Sequence, residues 1–339
     1  MWRGRPGAAR RLEMIRGGGS SPGDAADWPV DGAEISDLTV DCNLQNQSNL
    51  CVDGVTPAGS RNRVSRVRAI NWGTTSTDEC FVFSVGSHWR VRPEGYHEGV
   101  IEDCVADKPA PIVHKDGTSA FMLSGNGPWE GGKVGTADRD AGGWVLRNCS
   151  VRDVTTGRGP GQPHGFHAFG AVGRGCDIVG NFALNVTGKT GGEASAIYCD
   201  SFDDQDITIR DNTLMNVNFG ISYNYSANNL TNLVIRDNLI TVSNGGVGIY
   251  LYNVDDPTLS HVMRGVLISG NRVYPHHTGA SCEALIMRGA IEAVVQDNLL
   301  DGGAPPKGRA AVIPEVYRPK LQVFSFQNNR NLAGQLIQP

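Results

Sequence analysis

An isoleucine-rich segment that ends in asparagine returns along this sequence every 26 to 33 residues, for example at residues 209–212, 235–238 and 268–271. A repeat of this length is typical of a solenoid, in which each unit packs only on its neighbours. The length of 339 residues would suggest two domains, but the repeat predicts one elongated domain over residues 33–339. The asparagine, or the residue equivalent to it, marks ten repeats: Leu38, Val67, Cys104, Asn148, Asn181, Asn212, Asn238, Asn271, Asn298 and Asn329.

The composition favours strands over helices. The chain has 44 glycines, 19% charged residues and only 7% aromatic residues, which suits short strands joined by tight turns. Each repeat from the third onward has two strand signals, a short segment such as residues 248–252 and the segment Ile-x-x-Asn-x-hydrophobic. A third short strand would close each coil around an apolar interior. We therefore predict an all-β solenoid of about ten coils.

Alternation of side chains along a strand predicts which residues of the Gly-Ile strands face the interior. Like residues in successive coils are then expected to stack. The predicted inward pairs are Phe81/Phe83, Phe121/Leu123, Phe166/Ala168, Ile197/Cys199, Ile221/Tyr223, Ile249/Leu251, Leu285/Met287 and Ala311/Ile313.

The asparagines are predicted to form a structural ladder at one corner of the coils. A side-chain amide can bond the backbone of its own turn and of the stacked neighbour, and asparagine tolerates unusual turn conformations. The eight cysteines show no Cys-x-x-Cys spacing, so a structural zinc site is not expected. Cys104, Cys149 and Cys199 fall at or near inward positions, and we expect them to be buried thiols.

The repeats Gly-Ile-x-Leu and Ile-x-x-Asn-x-hydrophobic resemble those of the pectate lyase-like superfamily, over about residues 33–339. The resemblance implies a single-stranded right-handed parallel β-helix and a polysaccharide or oligosaccharide as ligand. It does not choose the reaction, because the superfamily includes polysaccharide lyases, polysaccharide hydrolases, uronan epimerases and phage tailspikes. From the resemblance alone we expect an extracellular or periplasmic protein.

Outward side chains of the Gly-Ile strands are predicted to form two columns that cross neighbouring coils, with Phe169 in the second column. An extended sugar chain could lie along such columns. Exposed aromatic side chains that cluster with convergent polar groups often mark ligand sites. Polar and aromatic residues concentrate in the middle coils of the two columns: His167, Tyr198, Asp200, Asn224, Tyr250, Tyr252 and Arg288.

This surface could supply a β-elimination on an acidic polysaccharide. A base removes the proton next to a uronate carboxylate, a cation neutralises that carboxylate, and an acid assists the leaving oxygen. His167, Tyr198 or Tyr250 would transfer protons, and Arg288 would hold the carboxylate. The candidate catalytic residues are His167, Tyr198, Asp200, Tyr250 and Arg288, and the candidate substrate-binding residues are His164, Asn224, Tyr252 and Glu283.

Acidic residues leave two further hypotheses open. The turn that holds Asp200, Asp203 and Asp204 could bind calcium, so the cofactor is predicted to be none or calcium. The same carboxylates could meet the spacing of roughly 6.5 to 9.5 Å that an inverting glycosidase needs.

Two short fragments are similar to polygalacturonase motifs. Residues 77–83, with Asp78 and Glu79, resemble a Gly-Asp-Asp-Cys strand, and residues 163–166, with His164, resemble a Gly-His-Gly strand. The chain departs from that pattern at Glu79 and Pro163, and no Arg-Ile-Lys strand follows. The adjacent histidines His276 and His277 are predicted to be a loop feature unless Glu283 converges with Arg288.

Charge and hydropathy exclude some classes of partner. A net charge of −5 and a pI near 5.9 argue against nucleic-acid binding, and no segment reaches the roughly 18 apolar residues of a membrane helix. Residues 1–32 are basic at their start and glycine-rich later, without an export signal, and are predicted to be a flexible or truncated lead-in. The function predicted is cleavage or epimerisation of an acidic polysaccharide. The alternatives are a glycoside hydrolase with an Asp/Glu pair and a non-catalytic glycan-binding or tailspike-like module.

Overall fold

The structure, a computed structural model, describes most of the repeats and parts of the segments between them. Its described residues are 10–17, 30–43, 50–57, 59–73, 81–86, 98–107, 109, 119–124, 129–130, 133–134, 142–156, 166–172, 175–188, 194–201, 205–225, 231–253, 263–289, 291–305, 308–312 and 324–339. Within these segments the chain forms strands and turns and no helix, and none could cross a membrane as a helix.

The strands of the coils lie on three faces. Face 1 contains the strands before the asparagine corner: β2 (Glu34–Ser36), β5 (Arg63–Ser65), β8 (Val100–Glu102), β13 (Trp144–Arg147), β16 (Cys176–Val179), β19 (Gln205–Arg210), β21 (Thr231–Arg236), β23 (Met263–Ser269), β26 (Ile291–Gln296) and β29 (Phe324–Gln327). Face 2 follows the corner: β3 (Thr39–Asp41), β6 (Arg68–Ile70), β9 (Val105–Asp107), β14 (Ser150–Thr156), β17 (Phe182–Gly188), the first parts of β20 (Thr213–Tyr225) and β22 (Leu239–Asn253), β24 (Arg272–Pro275) and β27 (Leu299–Leu300).

Face 3 carries the Gly-Ile strands. They are β1 (Arg10–Gly17), β4 (Leu50–Pro57), β7 (Phe81–Gly86), β10 (Ser119–Ser124), β15 (Phe166–Val172), β18 (Ala194–Ser201), the later parts of β20 and β22, β25 (Glu283–Arg288) and β28 (Arg309–Val312). A short antiparallel hairpin of β11 (Trp129–Glu130) and β12 (Lys133–Val134) lies outside these faces.

Every pairing within the three faces is parallel and joins one coil to the next. In the residues that the structure describes, face 1 forms a ten-stranded sheet, while faces 2 and 3 join into a 17-stranded sheet because β20 and β22 run continuously through both. The prediction of an all-β parallel β-helix is confirmed. The third strand of each coil arises because the Ile-x-x-Asn-x-hydrophobic segment bends at its asparagine and contributes to two faces.

The structure describes part of the N-terminal segment predicted to be a lead-in over residues 1–32. Residues 10–17 form β1, which pairs in parallel with β4 from Arg10 opposite Leu50 to Gly17 opposite Pro57. These eight residues therefore extend face 3 by one strand. The boundary of the coil domain at residue 33 stays a prediction.

A local irregularity on face 3 shifts two of the predicted inward pairs. Two consecutive residues of each strand are buried, such as Ala168 with Phe169 and Ala284 with Leu285, so that simple alternation is interrupted there. The ring of Phe169 stacks on that of Phe121 at 5.5 Å, which makes the prediction of an outward Phe169 wrong. In register, the inward pairs are Phe83/Val85, Phe121/Leu123, Phe169/Ala171, Ile197/Cys199, Ile221/Tyr223, Ile249/Leu251 and Leu285/Met287.

The asparagine ladder is present, and each amide lies inside the corner. The Nδ2 group of Asn212 donates to Oδ1 of Asn238 at 2.9 Å, and Asn238 donates in the same way to Asn271 at 2.9 Å. The left-handed backbone lies one residue earlier, for example at Asp211 and Asp237, with φ near +57° and +56°. The prediction that asparagine itself adopts the unusual turn conformation is therefore wrong.

One of the ten residues that mark the repeats also changes. Cys149, and not Asn148, occupies the ladder position of its coil, because the amide N–H of Phe182 donates to the carbonyl of Cys149. Asn148 is the preceding left-handed residue, with φ near +54°. The Sγ atoms of Cys104 and Cys149 approach the carbonyls of Val64 at 3.6 Å and Ile101 at 3.8 Å, where an amide would donate in the later coils.

Candidate functional site

The outward side chains of face 3 form columns set by the strand register. Because two consecutive residues face inward, the first two columns are three residues apart along each strand. One column contains Phe81, Ser119, His167, Ser195, Phe219, Val247, Glu283 and Arg309. The next contains Ser84, Met122, Gly170, Tyr198, Ser222, Tyr250, Ile286 and Val312. His167 therefore lies in a different column from Tyr198, contrary to the prediction.

His167 and Tyr198 nevertheless contact each other, because their strands β15 and β18 lie on adjacent coils. Their rings stack with centroids 4.0 Å apart and planes within 3° of parallel. Nδ1 of His167 and the hydroxyl of Ser119 lie at 3.3 Å, a hydrogen bond whose direction depends on the histidine tautomer. The exposed fractions of His167 and Tyr198 are only 4% and 5%, so this pair is buried although it lies on the outer side of the sheet.

Two serines continue the polar surface toward the next coils. Ser195 lies beside His167 in register, Ser222 lies beside Tyr198, and their hydroxyls are 3.2 Å apart. Both side chains are buried. Ser222 in turn stands next to Tyr250 in register, so that the serines link the His167–Tyr198 pair to a second cluster.

The second cluster, which we call the tyrosine–arginine cluster, consists of Phe219, Tyr250, Tyr252 and Arg288. The rings of Tyr250 and Tyr252 are nearly parallel with centroids 6.1 Å apart, and Phe219 meets Tyr250 edge-on at 5.9 Å. The guanidinium carbon of Arg288 lies 5.8 Å from the Tyr250 ring centroid, a cation–π contact. Tyr250, Tyr252 and Arg288 are all half-buried, and no carboxylate in the described part of the chain forms an ion pair with Arg288.

The structure separates two residues that the sequence assigned to one reaction centre. His167 and Arg288 stand on strands β15 and β25, four coil steps apart. At about 4.8 Å per step the separation is roughly 19 Å, which one sugar ring cannot span. The prediction that both groups act on the same uronate is therefore wrong, and Tyr250 is the proton-transfer candidate adjacent to Arg288.

Other candidates take different positions. Glu283 forms an ion pair with Arg309 and does not converge with Arg288. His276 bonds to the hydroxyl of Thr241 at 2.8 Å and contacts His277 edge-on. Burial, with a smaller contribution from His277, lowers the pKa of His276. This agrees with the interpretation of the two histidines as a loop feature.

Several predicted residues lie outside the part that the structure describes. These are His164, Asp203, Asp204 and the hydrolase-like Asp78 and Glu79. The backbones of Asp200 and Asn224 lie in register with Tyr252, but their side chains are likewise outside the described part. Among the described side chains no group of three or more His, Cys, Asp or Glu could hold a metal ion. The calcium site at Asp200, Asp203 and Asp204 thus stays a prediction.

The sequence interpretation missed Ser119, Ser195 and Phe219. All three lie at outward positions of face 3, in the same column as His167. Each of them lies three residues before a residue of the next outward column. An analysis that assumes strict alternation therefore assigns them to the interior. A search that allowed one extra residue per strand would have aligned them.

Comparisons with known proteins add little to this geometry. The sequence matches no protein-family model and no curated protein. A solved structure of XylC in complex with xylose aligns with 12% sequence identity and a TM-score of 0.36, covering 81% of this chain and 52% of that one. The chain thus spans about half the length of that solved chain. At this level of similarity the comparison bears on neither ligand nor activity.

Proposed function

We propose that this protein binds an extended acidic polysaccharide along face 3 and acts on it by removing the proton next to a uronate carboxylate. The observation that carries the proposal is the tyrosine–arginine cluster. It combines two nearly parallel tyrosine rings with a guanidinium group that lacks an ion-pair partner in the described part of the chain. Aromatic faces pack on sugar rings, and a guanidinium group can bind a carboxylate through two hydrogen bonds.

In the proposed reaction Arg288 neutralises the uronate carboxylate and so stabilises the charge that develops when the neighbouring proton leaves. The hydroxyl of Tyr250, whose ring is 5.8 Å from that guanidinium carbon, is the proton-transfer group. Tyr252 supports the sugar ring on the same coil. Elimination follows if the oxygen at the adjacent carbon leaves, and epimerisation follows if the proton returns to the opposite side of the ring.

The buried His167–Tyr198 pair has a different place in this proposal. Along the solenoid Tyr198 lies two coil steps from Tyr250, about 10 Å, and His167 lies three steps away, so the pair belongs to a neighbouring part of the surface. Its low exposure supports a packing role. The same low exposure favours a second candidate function, glycan binding without turnover, because it removes one candidate base from contact with substrate.

The test measures turnover of soluble polymers of galacturonate, of mannuronate and guluronate, and of glucuronate. Tyr250→Phe removes only the hydroxyl and is expected to lower the rate by at least about 100-fold while binding is retained. Arg288→Gln is expected to weaken both binding and rate. Elimination gives ultraviolet absorbance from a new double bond, and epimerisation gives solvent deuterium in the polymer.

Matched controls are available on face 2. Tyr274→Phe and Arg272→Gln remove the same groups from outward positions of β24 and should change neither rate nor binding. New reducing ends without absorbance would support the glycoside hydrolase instead. Binding without any turnover would support the glycan-binding module, and full activity of Tyr250→Phe would rule out the proposed role of Tyr250.

A further inference from the structure

A polar groove crosses face 1, away from the tyrosine–arginine cluster of face 3. It has a volume of about 460 Å³ and spans three successive strands, β16, β19 and β21. The side chains that matter for its chemistry are Asp177, Asp206, Thr208, Arg210 and Arg236. None of these side chains takes part in the reaction proposed for face 3.

The strand register gives the groove a floor and two rims. Asp177, Thr208 and Val234 are neighbours in register and form the floor. Arg210 and Arg236 are also neighbours in register and line one rim, next to the asparagine corner. Asp206 lies on the opposite rim with a left-handed backbone, φ near +57°, and its Oδ1 accepts a hydrogen bond from Asn232 at 2.8 Å.

The two arginines differ in how strongly they are held. Arg210 donates to Asp177 at 3.2 Å and to Asp211 at 3.0 Å, which fixes it as part of the wall. Among the described residues Arg236 donates only to its neighbour Asp237, at 3.2 Å, and the two side chains are 45% and 49% exposed. Exposed ion pairs contribute little to stability, so a carboxylate from a ligand can bind Arg236 at small cost.

The mixture of groups selects the ligand chemistry. Arg236 presents N–H donors to an acid group, whereas Asp177 and Asp206 present carboxylates and Thr208 a hydroxyl to groups that donate hydrogen bonds. A phosphate-rich chain offers the two aspartates few groups that donate hydrogen bonds, and a neutral apolar ligand would leave the polar groups unpaired. A uronate-bearing sugar chain carries both a carboxylate and several hydroxyls.

We infer that the face 1 groove is a second binding site for uronate-bearing sugar chains, with the carboxylate on Arg236 and sugar hydroxyls on Thr208 and the aspartates. The inference rests on the proposed function in one respect, that an acidic polysaccharide is the ligand. A polymer held on two faces of the rod would be retained between successive contacts with face 3, because linked binding raises the effective concentration of the second contact.

The test is titration calorimetry of the full chain with defined uronate tetrasaccharides. The wild type is expected to bind two equivalents. Arg236→Gln should weaken the groove site by about tenfold or more and leave the face 3 site unchanged, while Arg288→Gln should do the reverse. Thr208→Val is a second groove variant, and Arg264→Gln is the matched control, because it removes a similarly exposed arginine of face 1 outside the groove.

The outcomes separate the two proposals. If Arg236→Gln and Thr208→Val bind like the wild type while Arg288→Gln loses binding, the groove inference is overturned and the face 3 site stands. If only the groove variants lose binding, the face 3 site is overturned and the groove stands. If the wild type binds none of the uronate oligosaccharides, both are overturned. Circular dichroism of each variant verifies that the β-helix is intact.

Discussion

At the residue scale, Glu102 is a buried carboxylate on the outer side of face 1. It is 2% exposed and accepts hydrogen bonds from Arg147, at 2.7 Å from Nε, and from Arg63 on the preceding strand. Burial alone would raise the pKa of Glu102, but the hydrogen bonds from Arg147 and Arg63 outweigh it and the pKa is lowered. The two arginines thereby join three successive coils.

Glu102→Gln is expected to lower the free energy of unfolding by about 1–3 kcal/mol at neutral pH, because the three hydrogen bonds from Arg63 and Arg147 lose their anionic acceptor. The ordinary pKa of the group is 4.5, and the folded value is lower. The stabilisation is therefore fully present above that ordinary value and is lost as the pH falls through the folded pKa. Urea unfolding of both proteins from neutral to acid pH measures the difference.

A matched comparison is Glu292→Gln, which removes an exposed ion pair with Arg264 at 3.5 Å. Its expected effect is below about 1 kcal/mol at any pH. A loss of stability in Glu102→Gln that does not shrink on acidification would contradict the assignment of a lowered pKa to this carboxylate.

Residue identity alone predicted the ladder where the amide chemistry is unambiguous. From Asn181 to Asn329 one asparagine stands in each corner, and all are buried as expected. Asn148 and Cys149 could not be separated in this way, because asparagine suits both the left-handed position and the buried one. A thiol can donate weakly to a carbonyl in the ladder position, so Cys149 fills the place that an amide takes elsewhere.

At the element scale, the interrupted alternation of face 3 is accompanied by small side chains at its first inward position from β10 to β25. Alanine or glycine stands there in neighbouring strands, at Ala168, Ala196, Gly220, Gly248 and Ala284. A Cβ atom at Gly248 would lie 2.1 Å from Cγ1 of Val273 and 2.5 Å from the carbonyl oxygen of Ala284. The second contact is with the backbone of the next strand, which cannot move away easily.

Gly248→Ala is therefore expected to destabilise the fold by about 1–3 kcal/mol. Val273→Ala removes one of the two clashing groups, yet it should not restore stability in the double variant, because the backbone contact remains. Thermal unfolding of the two single variants and the double variant measures this. Recovery of stability in the double variant would mean that side-chain crowding alone limits this position.

The same irregularity explains which parts of the site were predictable. Strict alternation placed Tyr198, Tyr250 and Ile286 correctly in one column, because their coils follow the Gly-Ile pattern. It failed at residues 166–169, where Phe166 is buried as well and offers a second, incorrect register. Only the pairing with neighbouring strands decides between these registers, and a single sequence does not contain that information.

At the scale of the whole molecule, a parallel β-helix converts distance along the chain into distance along the rod. Residues separated by some 120 positions, such as His167 and Arg288, share a face but are four coil steps apart. Residue types in repeated positions predicted the face, whereas the number of coils between them decides whether they contact one substrate. Tyr250 and Arg288 satisfy that condition because their strands are adjacent.

The same geometry predicts that the rod opens from its ends, since a solenoid unit is stabilised mainly by its two neighbours. Cys42, Cys199 and Cys282 are each at most 2% exposed, but they stand in the first coil, near the middle and toward the C-terminal end. Burial raises the pKa of Cys282 to about 12, so its thiol reacts after opening.

Alkylation followed by mass spectrometry should therefore label Cys42 first, Cys282 next and Cys199 last, with Cys42 at least about tenfold faster than Cys199. The three rates should become equal in full denaturant, which serves as the control. Equal rates under native conditions would instead mean that the coils unfold as one cooperative unit.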